Sequence, residues 1–306
     1  MLDQPTVSIV IVNWNAGYLL SNCLNSIQRY GGGIVDRVIV VDNGSTDMSL
    51  EGLRDMEGAQ IVETGENLGF AKACNLGASY CSSRYLLFLN PDAALHEHTL
   101  SSVIEFMENP ANTNIGICGV RLVDGGGRTT TSAARFPTLR VVLGTSFGLD
   151  KIWPKTFPSH LMKPHELAES KPVDQIMGAF FLMRSGVFKG CGGFDERFFI
   201  YFEEVDLSLR ARQLGWISYI LTDVTAYHKG GGSSDAVKDL RLFYLLRSRN
   251  AYAHKHYSFL GFLALQLITA MELPVRLMKC VLAGSFGNIK NSLSAYLMLL
   301  EFYLKR

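Results

Sequence analysis

The sequence predicts an α/β fold in which a mostly parallel sheet is covered by helices and followed by a helical C-terminal extension. Three observations carry that expectation. The short runs Val7 to Val12, Val38 to Val41 and Tyr85 to Leu89 are wholly or almost wholly apolar, as strands buried on both faces must be. Segments with apolar residues at helical spacing lie between them, and alternating β and α units of this length favour a parallel sheet. From residue 238 to 306 the chain is strongly apolar and reads as helical.

The elements follow in order. After the first strand, Tyr18 to Ile27 places Leu20, Cys23, Leu24 and Ile27 on one helical face, and Gly31-Gly32-Gly33 ends it. The strand Val38 to Val41 closes on Asp42-Asn43-Gly44-Ser45. A helix over 46–57, a strand over 60–63, a helix over 69–82 and the strand Tyr85 to Leu89 continue the alternation, followed by a helix from Thr99 to Met107 and a strand from Ile115 to Val123. The regularity then fails: residues 124–172 hold Gly125-Gly126-Gly127 and five prolines, and read as a long, partly irregular excursion. Structure resumes with Ile176 to Met183, followed by a helix from Glu203 to Leu214 and strands at Trp216 to Leu221 and Val224 to Tyr227.

At 306 residues the chain suffices for one large domain or two modest ones. The net charge of +1 argues for no nucleic-acid partner, but it hides an asymmetry. From Lys238 onward there are ten Lys/Arg against three Asp/Glu, so the tail is near +7 and the rest near −6. The six cysteines are scattered without a CxxC pair, as reduced thiols of a cytoplasmic protein would be. No basic stretch followed by an apolar one marks a secretory signal at the N-terminus. No uninterrupted apolar run reaches the ~20 residues of a spanning helix, Ser258 to Met271 coming closest.

Ligands of open α/β sheets bind where loops leave the carboxyl ends of the strands. Four polar segments stand at such points. Asp42-Asn43-Gly44-Ser45-Thr46-Asp47 offers a turn and a helix cap, or a carboxylate that accepts hydrogen bonds from a nucleotide base or ribose. Asn90-Pro91-Asp92 either ends a strand or aims Asp92 at a divalent cation that neutralises a diphosphate. Gly192 to Leu207 crowds Glu203, Glu204 and Asp206 into four positions. Asp206 and Arg210, four apart, can pair, while one of the two glutamates can face a cleft as a general base. His228, between a strand and the glycines Gly230-Gly231-Gly232, is either a packing residue or a neutral imidazole ligand beside a loop.

Together these residues resemble the inverting family-2 glycosyltransferases of the GT-A fold, a Rossmann-like architecture. The likeness is nearest to bacterial rhamnosyltransferases that build O-antigen and related cell-surface glycans. It runs from Val7 to about Ser233, through Val7-Ser8-Ile9-Val10-Ile11-Val12-Asn13-Trp14-Asn15, Asp42 to Asp47, Asn67-Leu68-Gly69-Phe70-Ala71 with Asn75 and Gly77, Asn90-Pro91-Asp92, Gly193 to Leu207, and His228. The resemblance implies that Val12, Asn13 and Asp42 receive the base and ribose. It also implies that the helix opening at Asn67 and Gly69, with Asn75, favours the diphosphate, and Lys72 adds a positive charge. Asn90 and Asp92 would be the family's Asp-X-Asp element, with His228 a second ligand to Mg²⁺ or Mn²⁺. Glu204 would be the base, with Glu203 a second candidate. Two departures stand out. Asn90 replaces the first Asp common in relatives, and Glu203-Glu204 stands for the usual Glu-Asp, which lengthens the base by one methylene.

The resemblance further implies a GT-A catalytic domain over 1–237, with a nucleotide-sugar half (1–123) and an acceptor half (124–237). Residues 238–306 remain either a helical subdomain packed on the core or another subunit, or an interfacial membrane surface. Relatives with polyprenyl-diphosphate-linked acceptors favour the second, and Arg247 and Arg249 could meet such a diphosphate. The implied function is transfer of L-rhamnose from dTDP-L-rhamnose to a lipid-linked glycan, peripherally on the inner face of the cytoplasmic membrane, in a monomer or homo-oligomer. The rivals are a UDP-sugar donor and a non-catalytic nucleotide-sugar-binding module. A nucleotidyltransferase would want a Gly-rich loop where Asn13-Trp14-Asn15 stands.

Overall fold

The structure is a computed structural model that describes residues 6–53, 58–230 and 238–305. The chain divides into two compact units, one of residues 1–134, 161–196 and 203–233, the other of 135–160, 197–202 and 234–306. The strands are β1 (Val7–Asn13), β2 (Val35–Asp42), β3 (Ala59–Glu63), β4 (Tyr85–Leu89), β5 (Ala93–Leu95), β6 (Ile115–Val123), β7 (Ala133–Ala134), β8 (Lys171–Val173), β9 (Gln175–Ile176), β10 (Phe180–Arg184) and β11 (Ile217–His228). The helices are α1 (Tyr18–Tyr30), α2 (Phe70–Ser79), α3 (Thr99–Glu108), α4 (Leu139–Phe147), α5 (Leu149–Ile152), α6 (Ser185–Gly190), α7 (Glu203–Gln213), α8 (Lys238–His256), α9 (Phe259–Leu282) and α10 (Phe286–Leu304).

The first unit is built on a sheet of order β3-β2-β1-β4-β10-β6-β11-β5, with β8 added to β11. β3, β2, β1 and β4 run parallel, as do β6 and β11. β10 lies antiparallel between β4 and β6. Every residue of β1 is buried, and its side chains alternate between two apolar layers, as strand geometry requires. Val7, Ile9 and Ile11 join Leu20, Cys23, Leu24 and Ile27 of α1 and Leu100 and Val103 of α3. Val10 and Val12 join Ala71 and Cys74 of α2 and Leu207 of α7.

Three elements differ from the sequence reading. Over 46–53 the structure has turns in place of the expected helix, and the remainder of that helix, 54–57, lies outside the described residues. Side chains capture the backbone donors a helix would need: Asn15 Oδ1 accepts from the Thr46 and Asp47 amides, and Asp47 Oδ1 from that of Ser49. Gly52 then adopts a left-handed φ of 73°. The one structured segment expected over 176–183 is two strands, because β9 pairs with β7 in a separate small sheet and β10 joins the main one. The two strands expected between 216 and 227 are one, β11, whose register on β6 slips between Leu221 and Thr225.

In the second unit α8, α9 and α10 pack on one another, and α4 lies against α9 with Val142, Ala253, Leu265 and Ile268 buried together. Arg249 Nη2 donates to Thr269 Oγ1 at 3.0 Å and to Glu272 Oε2 at 2.8 Å, and Arg276 Nε donates to Glu272 Oε1 at 2.8 Å. Burial pushes the Glu272 carboxyl up, but the two guanidiniums outweigh it and hold the group below its ordinary value. The Ser258 to Met271 run, too short in sequence to span a bilayer, is part of the 24-residue α9, which is long and apolar enough by length and composition to do so.

Gly77 is the closest approach of α2 to the sheet: a Cβ there would stand 2.4 Å from Val10 Cγ1 and 3.0 Å from Val41 Cγ2. Gly77→Ala is therefore expected to cost about 1–3 kcal/mol in denaturant unfolding despite its better helix propensity. Gly186→Ala, which meets open space in α6, is expected to leave stability unchanged or slightly raised.

Candidate active site

Parallel pairing aligns the strand ends: Asn13 stands opposite Asp42 and Asp42 opposite Glu63. Asn13 is fully buried, and its Nδ2 lies 2.8 Å from Asp42 Oδ1, 2.8 Å from Ser49 Oγ and 3.0 Å from Ser45 Oγ. The other carboxylate oxygen of Asp42 accepts from the Ser45 amide at 3.2 Å. Asp42 is thus held rigidly at the strand end, and Asn13 Oδ1 is buried without a hydrogen-bond partner. Val12 is a core residue.

The next loop is tied on by two asparagines. Asn43 Nδ2 donates to Asn67 Oδ1 at 3.0 Å, Asn43 Oδ1 accepts from the Leu68 amide at 2.8 Å, and Asn67 Oδ1 accepts from the Gly69 amide at 2.9 Å. Gly44, with φ 75°, lets the loops touch, since a Cβ there would sit 2.7 Å from the Glu66 carbonyl carbon. Gly69, with φ 85°, turns the chain into α2. Lys72 is exposed on that helix. Asn75, in the same helix, ties α2 to the chain ahead of α7: Nδ2 donates to the Phe194 carbonyl and Oδ1 accepts from the Phe194 amide, each at 2.9 Å.

Asp92 and His228 meet because of strand pairing that the sequence does not announce. After β4 the Ala93 amide turns back to the Asn90 carbonyl at 3.0 Å, and β5 then pairs antiparallel with the end of β11, placing His228 opposite Ala93. The Lys229 amide donates to the Asp92 carbonyl at 3.1 Å. His228 Nε2 consequently lies 3.5 Å from Asp92 Oδ1, with both side chains largely buried. That distance is too long for a strong hydrogen bond between them. It is close to the ~3 Å separating neighbouring ligands of an octahedral ion with ~2.1 Å bonds. An imidazole nitrogen and a carboxylate oxygen suit Mg²⁺ or Mn²⁺, with positions left for diphosphate oxygens and water. Among the described residues no group of three or more His, Cys, Asp and Glu gathers to enclose an ion. The pair therefore fits an open site shared with a substrate. Gly231, Gly232 and Ser233, the rest of the expected glycine loop, lie outside the described residues.

Glu203 and Glu204 open α7, which the chain enters through two left-handed non-glycine residues, Tyr201 (φ 67°) and Phe202 (φ 71°). Such conformations cost about 1–3 kcal/mol each and persist where the surroundings enforce them. Arg210 of α7 donates to Asp206 Oδ2 at 2.7 Å and, back toward the turn at Gly193, to the Gly193 carbonyl at 2.8 Å. Asp206 is thereby the structural member of the acidic cluster. Gly193, with φ 74°, has no room for a side chain, since a Cβ would stand 2.8 Å from Asn75 Oδ1.

Among the described residues Glu203 and Glu204 have no such cation. Glu203 is 5% exposed, and the Oε2 atoms of both are buried without a hydrogen-bond partner. Burial, reinforced by the neighbouring Glu204, raises the Glu203 carboxyl well above its ordinary value, and burial pushes Glu204 up to about 7. The buried Cys74 thiol of α2 is raised by its own burial and then by the charges of both glutamates. Asn15, Asn43 and Cys74 are the contributors that sequence reasoning passed over. An asparagine before a glycine turn signals Asn43, but nothing local signals Cys74.

A carboxyl raised on folding binds its proton more tightly in the native state. Its contribution is full below the unfolded value near 4.5 and is lost as pH rises through the folded value. Glu203→Gln removes that loss. The variant is expected to unfold near the parent's temperature at about pH 5 and above it at about pH 8, read by thermal melts.

The chain is 27% identical over 235 residues to the N-acetylglucosaminyl-diphospho-decaprenol L-rhamnosyltransferase of Mycobacterium tuberculosis, covering 72% of this chain and 75% of that one. It is 25% identical over 187 residues to the rhamnosyltransferase WbbL of Escherichia coli, covering 58% and 67%. Among solved structures, the mannosyltransferase of Pyrobaculum calidifontis in complex with GDP-mannose and Mn²⁺ superposes with a TM-score of 0.58. It is 15% identical, over 98% of this chain and 88% of that one, and shares the GT-A fold. The family model for glycosyl transferase family 2 matches residues 8–190. The chain belongs to glycosyl transferase family 2 and is a glycosyltransferase.

Proposed function

We propose that the enzyme is an inverting, metal-dependent rhamnosyltransferase. It takes L-rhamnose from dTDP-L-rhamnose and delivers it to a polyprenyl-diphosphate-linked glycan at the inner face of the cytoplasmic membrane. The observation that carries the chemistry is the buried acid pair opening α7, one member of which changes charge near neutrality. The similarity to two rhamnosyltransferases, one named for a decaprenyl-diphosphate-linked acceptor, supports the donor sugar and the acceptor class. A UDP-sugar donor is the alternative with the same chemistry.

In this reading the catalytic domain is residues 1–237, with the donor held by 1–123 and the acceptor by 124–237. Asn13 and Asp42, locked together, receive the base and ribose, with the backbone at Val12 beside them. The α2 N-terminus after Asn67 and Gly69 favours the negative diphosphate, and exposed Lys72 adds charge. Asp92 and His228 hold the divalent cation, Asn90 supplying no charge to it. Bound there, the ion would offset the charge that develops on the departing nucleotide diphosphate. Glu204 accepts the proton of the acceptor hydroxyl while that oxygen bonds to the anomeric carbon and the bond to the diphosphate oxygen breaks. The displacement is direct, so the anomeric configuration inverts and no enzyme nucleophile is required. Glu203, also raised by burial, stays the second candidate for the base.

Glu204→Gln is expected to lower kcat by about 10²–10⁴, and undiminished transfer by a variant with Gln at both positions would rule the mechanism out. Because only the ionised Glu204 accepts a proton, kcat/KM should climb with pH to about 7 and then level. Asp92→Asn and His228→Ala are each expected to raise the Mn²⁺ concentration needed for half-maximal rate by at least ~10-fold. Hydrolysis across a panel of sugar nucleotides should favour dTDP-L-rhamnose, and preference for a UDP-sugar would assign the alternative donor.

A further inference from the structure

We infer that the outward face of α9, continued by that of α10, is an in-plane docking surface for a lipid bilayer carrying anionic headgroups. It deepens the membrane placement proposed above and rests on that reading. A helix of a water-soluble unit turns its apolar stripe inward and its polar one to water. α9 does otherwise. Leu260, Leu263, Leu267, Met271, Met278 and Val281 recur at spacings of three, four and seven, hence on one face, and all are exposed, Leu260 by 75% and Leu267 by 67%. The inward side holds Leu265 and Ile268 but also buries Thr269 and Glu272, the latter bound to Arg249 and Arg276. The charged residues of α9 are Glu272, Arg276 and Lys279, so the outward stripe bears no charge before the last turn.

α10 repeats the pattern: Phe286, Leu293, Leu297, Leu300 and Leu304 are exposed at helical spacing. An exposed apolar surface running the length of two helices exceeds what a free protein surface ordinarily tolerates.

Charge decides what covers it. The tail from Lys238 carries about +7, and exposed Lys279, Lys290 and Lys305 lie along or at the ends of the two helices. A second copy docked face to face would bring two such tails together, whereas anionic headgroups attract them. The helix lies in the plane of the interface and does not cross it. At ~1.5 Å per residue it is long enough to span, but α4, α8 and α10 pack along it and the buried ion pairs sit at its middle. Only one flank is open to lipid, as for an interfacial helix.

The test is co-sedimentation of the full chain, without donor, with phosphatidylcholine vesicles that contain or lack phosphatidylglycerol. The protein is expected to bind the anionic vesicles. The variant combining Leu263→Glu, Leu267→Glu and Met271→Glu should bind at least ~10-fold more weakly while retaining its unfolding temperature and donor hydrolysis. Lys279→Glu with Lys290→Glu, which leaves the apolar stripe intact, should lose the preference for anionic vesicles and keeps the test decisive if the triple variant folds poorly. Absence of vesicle binding by the parent, or a dimer in sedimentation that the triple variant splits, would overturn the inference. Donor hydrolysis in the same samples, measured without vesicles, reports separately on the glycosyltransferase reading.

Discussion

The antiparallel pairing of β5 with the last residues of β11 is the constraint on which the candidate site depends. β4 and β11 are not neighbours in the sheet, and Asp92 and His228 are far apart in sequence. A three-residue strand, turned back by the Asn90–Ala93 hydrogen bond and fastened at Ala93, Ala94 and Leu95, carries one to the other. Its side chains are anchored as well: Ala93 and Leu95 are buried in the core, and the Leu95 amide donates to Ser26 of α1. A short strand so tied cannot slip, because a one-residue shift would turn Leu95 out of the core. The 3.5 Å spacing of Asp92 Oδ1 and His228 Nε2 is thus a product of packing.

The two polar centres of the molecule show opposite ways of keeping charge inside a protein. At Glu272 two arginines surround a single carboxylate, and the group stays ionised. At Glu203 and Glu204 two successive carboxylates have no cation among the described residues, and burial drives both toward the protonated form. The first arrangement holds helices together. The second destabilises the fold as pH rises, and an enzyme that keeps it gains a carboxylate whose proton affinity matches neutral water. The left-handed entry at Tyr201 and Phe202 is of the same kind, local strain at the place where function needs a particular direction of the chain.

Much of this was legible in the sequence, and the failures have identifiable causes. The buried strands of the parallel half follow from unbroken apolar runs, and the faces of α1 and α3 from helical spacing. The Asp206–Arg210 pair follows from their four-residue separation. The antiparallel insertion of β10 does not, since a strand buried on both faces reads alike in either direction. The missing helix after Asp42 was hidden because Asn15, whose side chain takes the helix's first donors, lies thirty-one residues away from Thr46. At the site, residue identities could be read but partners could not. Asn75 stands in the donor motif, but its hold on Phe194 could not be read from the sequence; nor could the influence of the acid pair on Cys74. The apolar tail was plain in composition, yet only its folded state shows that α9 turns its leucines outward and its glutamate in.

The central claim is that one cation bound by Asp92 and His228 faces, across the reacting bond, a carboxylate of Glu204. A crystal structure of the enzyme with its sugar nucleotide and Mn²⁺ tests that most directly. The account predicts anomalous density for the ion within bonding distance of Asp92 Oδ1 and His228 Nε2 and of the diphosphate, with Glu204 on the opposite side of the anomeric carbon. An ion held by other residues, or a donor whose anomeric carbon lies out of reach of both Glu204 and Glu203, would contradict it.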